Sequence, residues 1–300
     1  MKLSRIAFLL GLLLGAEVSQ AQIPFSYTQY LDNLIPLNPA ASMLDKEGSV
    51  HLLGRKQWVG LEGAPRTYML NGHLPIHAIQ GTAGLMIMQD EVAIEKLTEA
   101  NAFVAKSVRL DPTTYLAVSL NFGVRRYTAN YANLAPNDPA FVNSDIYETV
   151  SNAGFGVMVY IEDKFFAGVS LPRLTLRSLG SGSVEDNRYF RNNYYLTIGG
   201  NFPLGTDLSF KSAGLVAYSR NVPLQADVSG KFYIHNRFGI GANYRSNNEL
   251  AGLLSVNVSR VSLGYGYQFG FGQRRIGGLN NGTHELQLSL ALGSADRGYR

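Results

Sequence analysis

The residue types that do chemistry are sparse in this sequence, and their spacing does not gather them. There are five histidines: His51, His73, His77, His235 and His284. His73 and His77 are spaced as two metal ligands on one helix face would be, but Pro75 lies between them in strand-and-turn context, so no metal site is expected. Ser289 and His284 are the nearest candidates for a nucleophile and its base. If Leu286, Leu288 and Leu290 share one face of a strand, His284 falls on that face and Ser289 on the other, which prevents a dyad. The clusters Gly264-Tyr265-Gly266 and Gly239-Ile240-Gly241 resemble phosphate loops only in glycine content, without the lysine and helix such loops need. Small inward-facing strand residues explain them better. With no cysteine, disulfides and thiolate metal sites are excluded. The residues therefore point to a non-enzymatic protein with no cofactor and no metal.

The elements that carry these residues read as strands. Val261, Leu263, Tyr265, Tyr267 and Phe269 alternate with small or polar residues. So do Leu116, Val118, Leu120, Phe122 and Val124 against Ala117, Ser119, Asn121, Gly123 and Arg125. Strand side chains alternate between faces, so each such segment has one greasy side and one wet side. About 14 segments of this kind follow one another, an even number typical of bacterial barrels. Their expected starts are Gly48, Pro65, Gln80, Lys96, Thr113, Asn152, Lys164, Arg188, Thr206, Pro223, Arg237, Glu249, Arg260 and Gly282.

The connections separate by parity. Every second one is a short turn, whereas residues 128–151, 173–187 and 271–281 form long loops, all in the other set. A transmembrane antiparallel β-barrel with short periplasmic turns and longer outer loops has this arrangement, and a soluble sandwich has no reason for it. The 17 Tyr and 15 Phe suffice for aromatic girdles, with Tyr115, Tyr127, Tyr160, Tyr194, Tyr195, Tyr218, Tyr233 and Tyr244 near expected strand ends. The long loop with Asp145, Tyr147 and Glu148 is either a partner surface or a solvated or lumen-folded loop. Arg173, Arg177, Arg188 and Arg191 flank the next one as a solvated basic rim or as contacts to lipid phosphates.

Residues 1–21 have the parts of a cleaved export signal: Lys2 and Arg5, an apolar run over residues 6–14, and Ser19-Gln20-Ala21. Residues 22–47 form an irregular N-terminal segment, because Pro24, Pro36 and Pro39 interrupt both helix and strand. Tyr27, Tyr30, Leu34 and Leu37 are its anchors if it docks against or inside the domain; a mobile tail is the alternative. The barrel then occupies residues 48–292 and a C-terminal tail residues 293–300. The formal charge of +4 is too weak and dispersed for nucleic acid.

One stretch is distinctive in wording. Residues 55–67 read Arg-Lys-Gln-Trp-Val-Gly-Leu-Glu-Gly-Ala-Pro-Arg-Thr and hold the single tryptophan. Gln57, Trp58, Gly60, Glu62, Gly63 and Pro65 would form a corner between two strands, packed as a hairpin or set at a membrane interface. Taken with Asn38-Pro39 upstream and Asp138-Pro139-Ala140-Phe141 downstream, the stretch resembles the PorP/SprF family of type IX secretion and gliding proteins from Bacteroidetes. The likeness covers about residues 30–290. It implies a non-enzymatic outer-membrane component. Such a component either links the membrane to a periplasmic ring lipoprotein or peptidoglycan-binding protein, or anchors a large secreted adhesin. Outer-membrane lipid would be its constant partner. A diffusion porin or hydrophobic-substrate transporter is the competing reading, since it shares barrel, signal and alternation.

Overall fold

The computed structural model describes residues 26–45, 47–131, 145–176, 190–270 and 282–293. Fourteen antiparallel strands close into one barrel, each paired with its chain neighbours and β1 sealed against β14. They are β1 (Ser49–Lys56), β2 (Arg66–Ile76), β3 (Gly81–Val92), β4 (Glu95–Arg109), β5 (Thr114–Ala129), β6 (Ile146–Ile161) and β7 (Phe165–Thr175). The second half is β8 (Asn193–Pro203), β9 (Leu208–Ser219), β10 (Gln225–Ile234), β11 (Phe238–Arg245), β12 (Glu249–Val258), β13 (Val261–Gly270) and β14 (Thr283–Ala291).

Alternation along the strands produces an outside made of hydrocarbon and an inside made largely of polar groups. On β5, Phe122 is 62% exposed while its neighbour Asn121 is 3% exposed and turned into the lumen. The outward residues join into cross-strand rows, such as Leu70, Ile87, Ala100 and Val124 on β2 to β5. An apolar outer belt around a polar interior inverts the arrangement of a soluble core and is that of an outer-membrane barrel. No described helix is long and apolar enough to cross a membrane, so the crossing elements are the strands.

Two expectations need correction. Residues 128–129 belong to β5 and residues 146–151 to β6, so the loop there is shorter than the sequence suggests. The pairing of Ala129 with Ile146 continues the ladder past the apolar belt, where hydrophobic alternation no longer marks a strand. Arg173 is no rim residue. The β6–β7 register shifts between Ala153 and Phe155, opposite Pro172, and this bulge turns Arg173 and Thr175 into the lumen. The tyrosines also divide. Tyr194, Tyr218 and Tyr244 face outward, but Tyr127, Tyr160, Tyr195 and Tyr233 are buried inside.

The lumen is filled by the chain itself. Residues 26–45 run through it as a plug that ends in a 3-10 helix, Pro39–Leu44. Tyr27, Tyr30, Leu34 and Leu37 are all buried there, and they pack with Leu53, Met69, Met88, Met158 and Leu215 of the inner wall. The inner face is thus less uniformly polar than its alternation suggests. Methionine and leucine are stable at inward positions because the plug gives them a dry partner.

Candidate functional site

The plug is fixed at its turn by Asn38 and Pro39. Pro39 opens the 3-10 helix, where its missing amide costs nothing, and the Asn38 side chain caps it by accepting from the Ala40 amide at 3.1 Å. The same side chain donates to the Val157 carbonyl at 3.2 Å, so it joins the plug to β6. Two wall glycines make the room. A β-carbon on Gly156 would overlap Asn38 Oδ1, and one on Gly168 would stand 2.9 Å from Asn38 Nδ2. The inward glycines Gly264 and Gly266 of β13 serve the same purpose for Gln29 and Thr28. The Gly-Tyr-Gly run therefore answers to the plug's shape.

Charged side chains then clamp the plug largely through its backbone. Glu285 on β14 accepts from the amides of Thr28, at 3.0 Å, and Gln29, at 2.9 Å, and from the Thr28 hydroxyl. Arg55 donates to the Ser26 carbonyl and to Gln268 and lies 3.6 Å from Glu285. Arg245 is held by Asp227 at 2.9 Å and reaches Ser26 Oγ at 3.2 Å. On the far wall Lys231 and Tyr233 both donate to Asp32, the tyrosine at 2.7 Å. Asn33 and Asn71 exchange amide hydrogen bonds at 2.8 and 3.2 Å.

A second cluster stands against the middle of the plug. Arg173 donates to Glu99 at 2.7 and 2.9 Å and reaches the Pro36 carbonyl at 3.4 Å, while Ser170 donates to the Leu37 carbonyl at 2.6 Å. Arg125 lies 3.4 Å from the same carboxylate, over the Phe190 ring. Glu99, Arg125 and Arg173 are each no more than 1% exposed. A buried carboxylate shared by two guanidiniums satisfies charges that no dry interior would hold unpaired. Of these clamp residues the sequence singled out only Arg173, and for a different place, the rim of a long loop. The available signal was a charged residue at an inward position of an alternating strand. For Arg173 even that failed, because the bulge reverses its direction.

The histidines also sort by face. His284 is outward, its Nδ1 2.7 Å from the Tyr265 hydroxyl, and Ser289 is inward, as the alternation requires. Inside, at the strand-start end of the barrel, His73 Nε2 donates to the Asp45 carbonyl at 3.1 Å, which leaves its Nδ1 to accept from Ser49. His51 Nε2 is hydrogen-bonded to Ser49 Oγ at 2.9 Å and its Nδ1 to Ser289 Oγ at 2.8 Å. This chain of hydrogen bonds ties the exit of the plug to the β1–β14 seam. His77 lies in the turn after β2, away from His73, and no group of metal-ligating residues occurs among the described residues.

Gln57, Trp58, Gly60, Glu62, Gly63 and Pro65 come together in the connection between β1 and β2, at the end where the long connections lie. Gln57 donates its amide to the Pro65 carbonyl at 2.9 Å and closes the corner. Trp58, Gly60 and Gly63 have positive φ. For the glycines that conformation is unstrained, but for a tryptophan it is uncommon and needs support from its surroundings. The support is backbone: Val59 donates to the Gly282 carbonyl at 3.0 Å, and Ala93 donates to the Gly63 carbonyl at 2.9 Å. The corner therefore clasps the β13–β14 and β3–β4 connections, with Trp58 half-buried and Gly60 and Glu62 exposed. Asp138, Pro139 and Phe141 lie outside the described residues, as do Arg177, Arg188 and the export signal. Tyr147 and Glu148 belong to β6.

The family model described as type IX secretion system membrane protein PorP/SprF matches residues 19–290. No curated protein matches the chain. Among solved structures, the Acinetobacter baumannii outer membrane protein Omp33 is similar at TM-score 0.50 and 9% identity, over 83% of this chain and 99% of that one. The Ralstonia pickettii toluene transporter TbuX is similar at TM-score 0.50 and 10% identity, over 91% of this chain and 94% of its own. At such identities the likeness is one of fold, an outer-membrane barrel.

Proposed function

Because the chain belongs to the PorP/SprF family of type IX secretion system membrane proteins, we propose that it works as a plugged, non-enzymatic component of that outer-membrane machinery. In this reading it is exported with a cleaved signal and seated in the outer membrane. There it either links that membrane to a periplasmic ring lipoprotein or peptidoglycan-binding protein, or anchors a large secreted adhesin. The observation that carries the reading is the plug. A chain segment that crosses the lumen and is bound through its backbone by Glu285, Arg55 and Arg173 suits a scaffold better than a diffusion pore.

A channel is the second reading, favoured by the fold shared with a toluene transporter. It requires a path past the plug. Purification in mild detergent from native outer membrane, followed by mass spectrometry of what accompanies the protein, separates the readings. Recovery with ring or peptidoglycan-binding components supports the link, and recovery with a very large secreted protein supports the anchor. Recovery alone, together with ion conductance of the intact protein in planar bilayers, would replace both with a channel.

A further inference from the structure

The outward surface at the long-connection end differs around the barrel. One cross-strand row on β14 and β1 to β4 reads His284, Lys56, Arg66, Glu91 and Lys96. The row beneath carries Tyr68, Gln89, Thr98 and Arg126 on β2 to β5. Directly below that, Leu70, Ile87 and Val124 begin the apolar belt. Across the barrel the pattern changes. Among the described residues of β8 to β13, every lysine and arginine within a strand (Lys211, Lys231 and Arg245) faces the lumen, Tyr194, Tyr218 and Tyr244 stand outward instead, and the exposed cation at this end is the single Arg220 of the β9–β10 connection.

The charges of the basic wall do not cancel within it. Glu91 is the carboxylate of these two rows, and it is bonded to Lys96 at 3.2 Å and to Gln89 at 2.7 Å. Lys56, Arg66 and Arg126 are exposed beside it. Neighbouring strands lie about 4.8 Å apart, so Lys56 and Arg66 stand side by side, whereas Arg126, three strands beyond Arg66, is about 15 Å away and would meet a second phosphate of the same headgroup. Arginine in particular matches phosphate oxygens two at a time. The position narrows the partner further. A group bound here rests on hydrocarbon-facing side chains on one side and water on the other, at the outer of the two membrane boundaries.

We propose that Lys56, Arg66 and Arg126, flanked by Lys96, form a docking surface for the phosphate-bearing headgroup of an outer-leaflet glycolipid. The lipid's acyl chains lie along the belt below them. This assigns a phosphate-binding role to outward residues of β1, β2 and β5.

The test uses the full-length protein in detergent, with heat-dependent gel mobility as the readout. Bisphosphorylated lipid A, the same lipid stripped of phosphate, and inorganic phosphate are titrated separately. The expected result is protection by bisphosphorylated lipid A alone, with half-saturation at least fivefold weaker in the Lys56→Gln/Arg66→Gln/Arg126→Gln variant. Lys106→Gln, at the opposite rim, should behave as wild type. Equal protection by the phosphate-free lipid, or an unchanged response in the triple variant, overturns the proposal. Protection by inorganic phosphate alone also overturns it, because it marks a simple anion site.

Discussion

Asn38 concentrates much of the plug's specificity in one side chain, since its carboxamide caps the Pro39–Leu44 turn and bonds β6 while occupying the gap left by Gly156 and Gly168. Replacing it with alanine removes a cap and a wall contact, so N38A should lower the urea unfolding free energy by about 1–2 kcal/mol. Gly156→Val fills the gap and should cost more in the wild-type background than in N38A, a coupling that a double-mutant cycle measures. Glu99 raises a sharper issue. Glu99→Gln leaves Arg125 and Arg173 buried around a neutral amide, and about 3–5 kcal/mol of destabilisation is expected from the same unfolding measurement. At this scale the sequence was partly legible. Asn38 and Pro39 could be selected through the family's wording, whereas Glu99 and Arg173 meet across strands far apart in the chain. No local pattern records that meeting.

Among the elements, the plug and the turns behave differently. The plug makes no ladder with the wall and is held by side chains and buried apolar packing. A barrel with residues 26–44 deleted should therefore still insert and should conduct ions in planar bilayers more readily than the intact protein does. Lys211 and Lys231 would then face the lumen without the plug carboxylate of Asp32, so the current should favour anions. The β4–β5 turn is organised by one exposed carboxylate. Asp111 accepts from the Thr113 amide at 2.8 Å and, at the same distance, from the Thr114 amide, and these bonds hold its pKa down to about 2. A depressed carboxylate supports its turn above its ordinary pKa and ceases to as pH falls through the lowered one. The Asp111 carboxyl signal in an NMR titration should accordingly stay in its ionised position at pH 4 and move only near pH 2. The shortness of such turns was readable from the spacing of the alternating segments. The extra residues of β5 and β6 were not, because past the membrane boundary a strand no longer has to alternate.

For the whole molecule, the bilayer is the solvent that sorts the two faces. An arginine replacing Leu120, midway along the apolar outer face of β5, should cost about 2–4 kcal/mol, whereas one replacing Thr149, beside Arg126 above the belt, should cost about 0–1 kcal/mol. Refolding into vesicles at graded urea measures both. The sequence by itself determined the closed, even-stranded barrel, its outward face and the parity of its connections. Those follow from local alternation and turn chemistry repeated along the chain, and the family's wording in residues 55–67 could be read in the same way. Only the tertiary structure decided that residues 26–45 lie within the lumen, that Arg173 turns inward and that the corner around Trp58 clasps two neighbouring connections through Val59 and Gly63. It alone also divided the tyrosines between lumen and membrane boundary. Each of these depends on groups brought together by barrel closure, by one bulge or by long-range backbone pairing, and a one-dimensional pattern carries no term for contacts made across the ring.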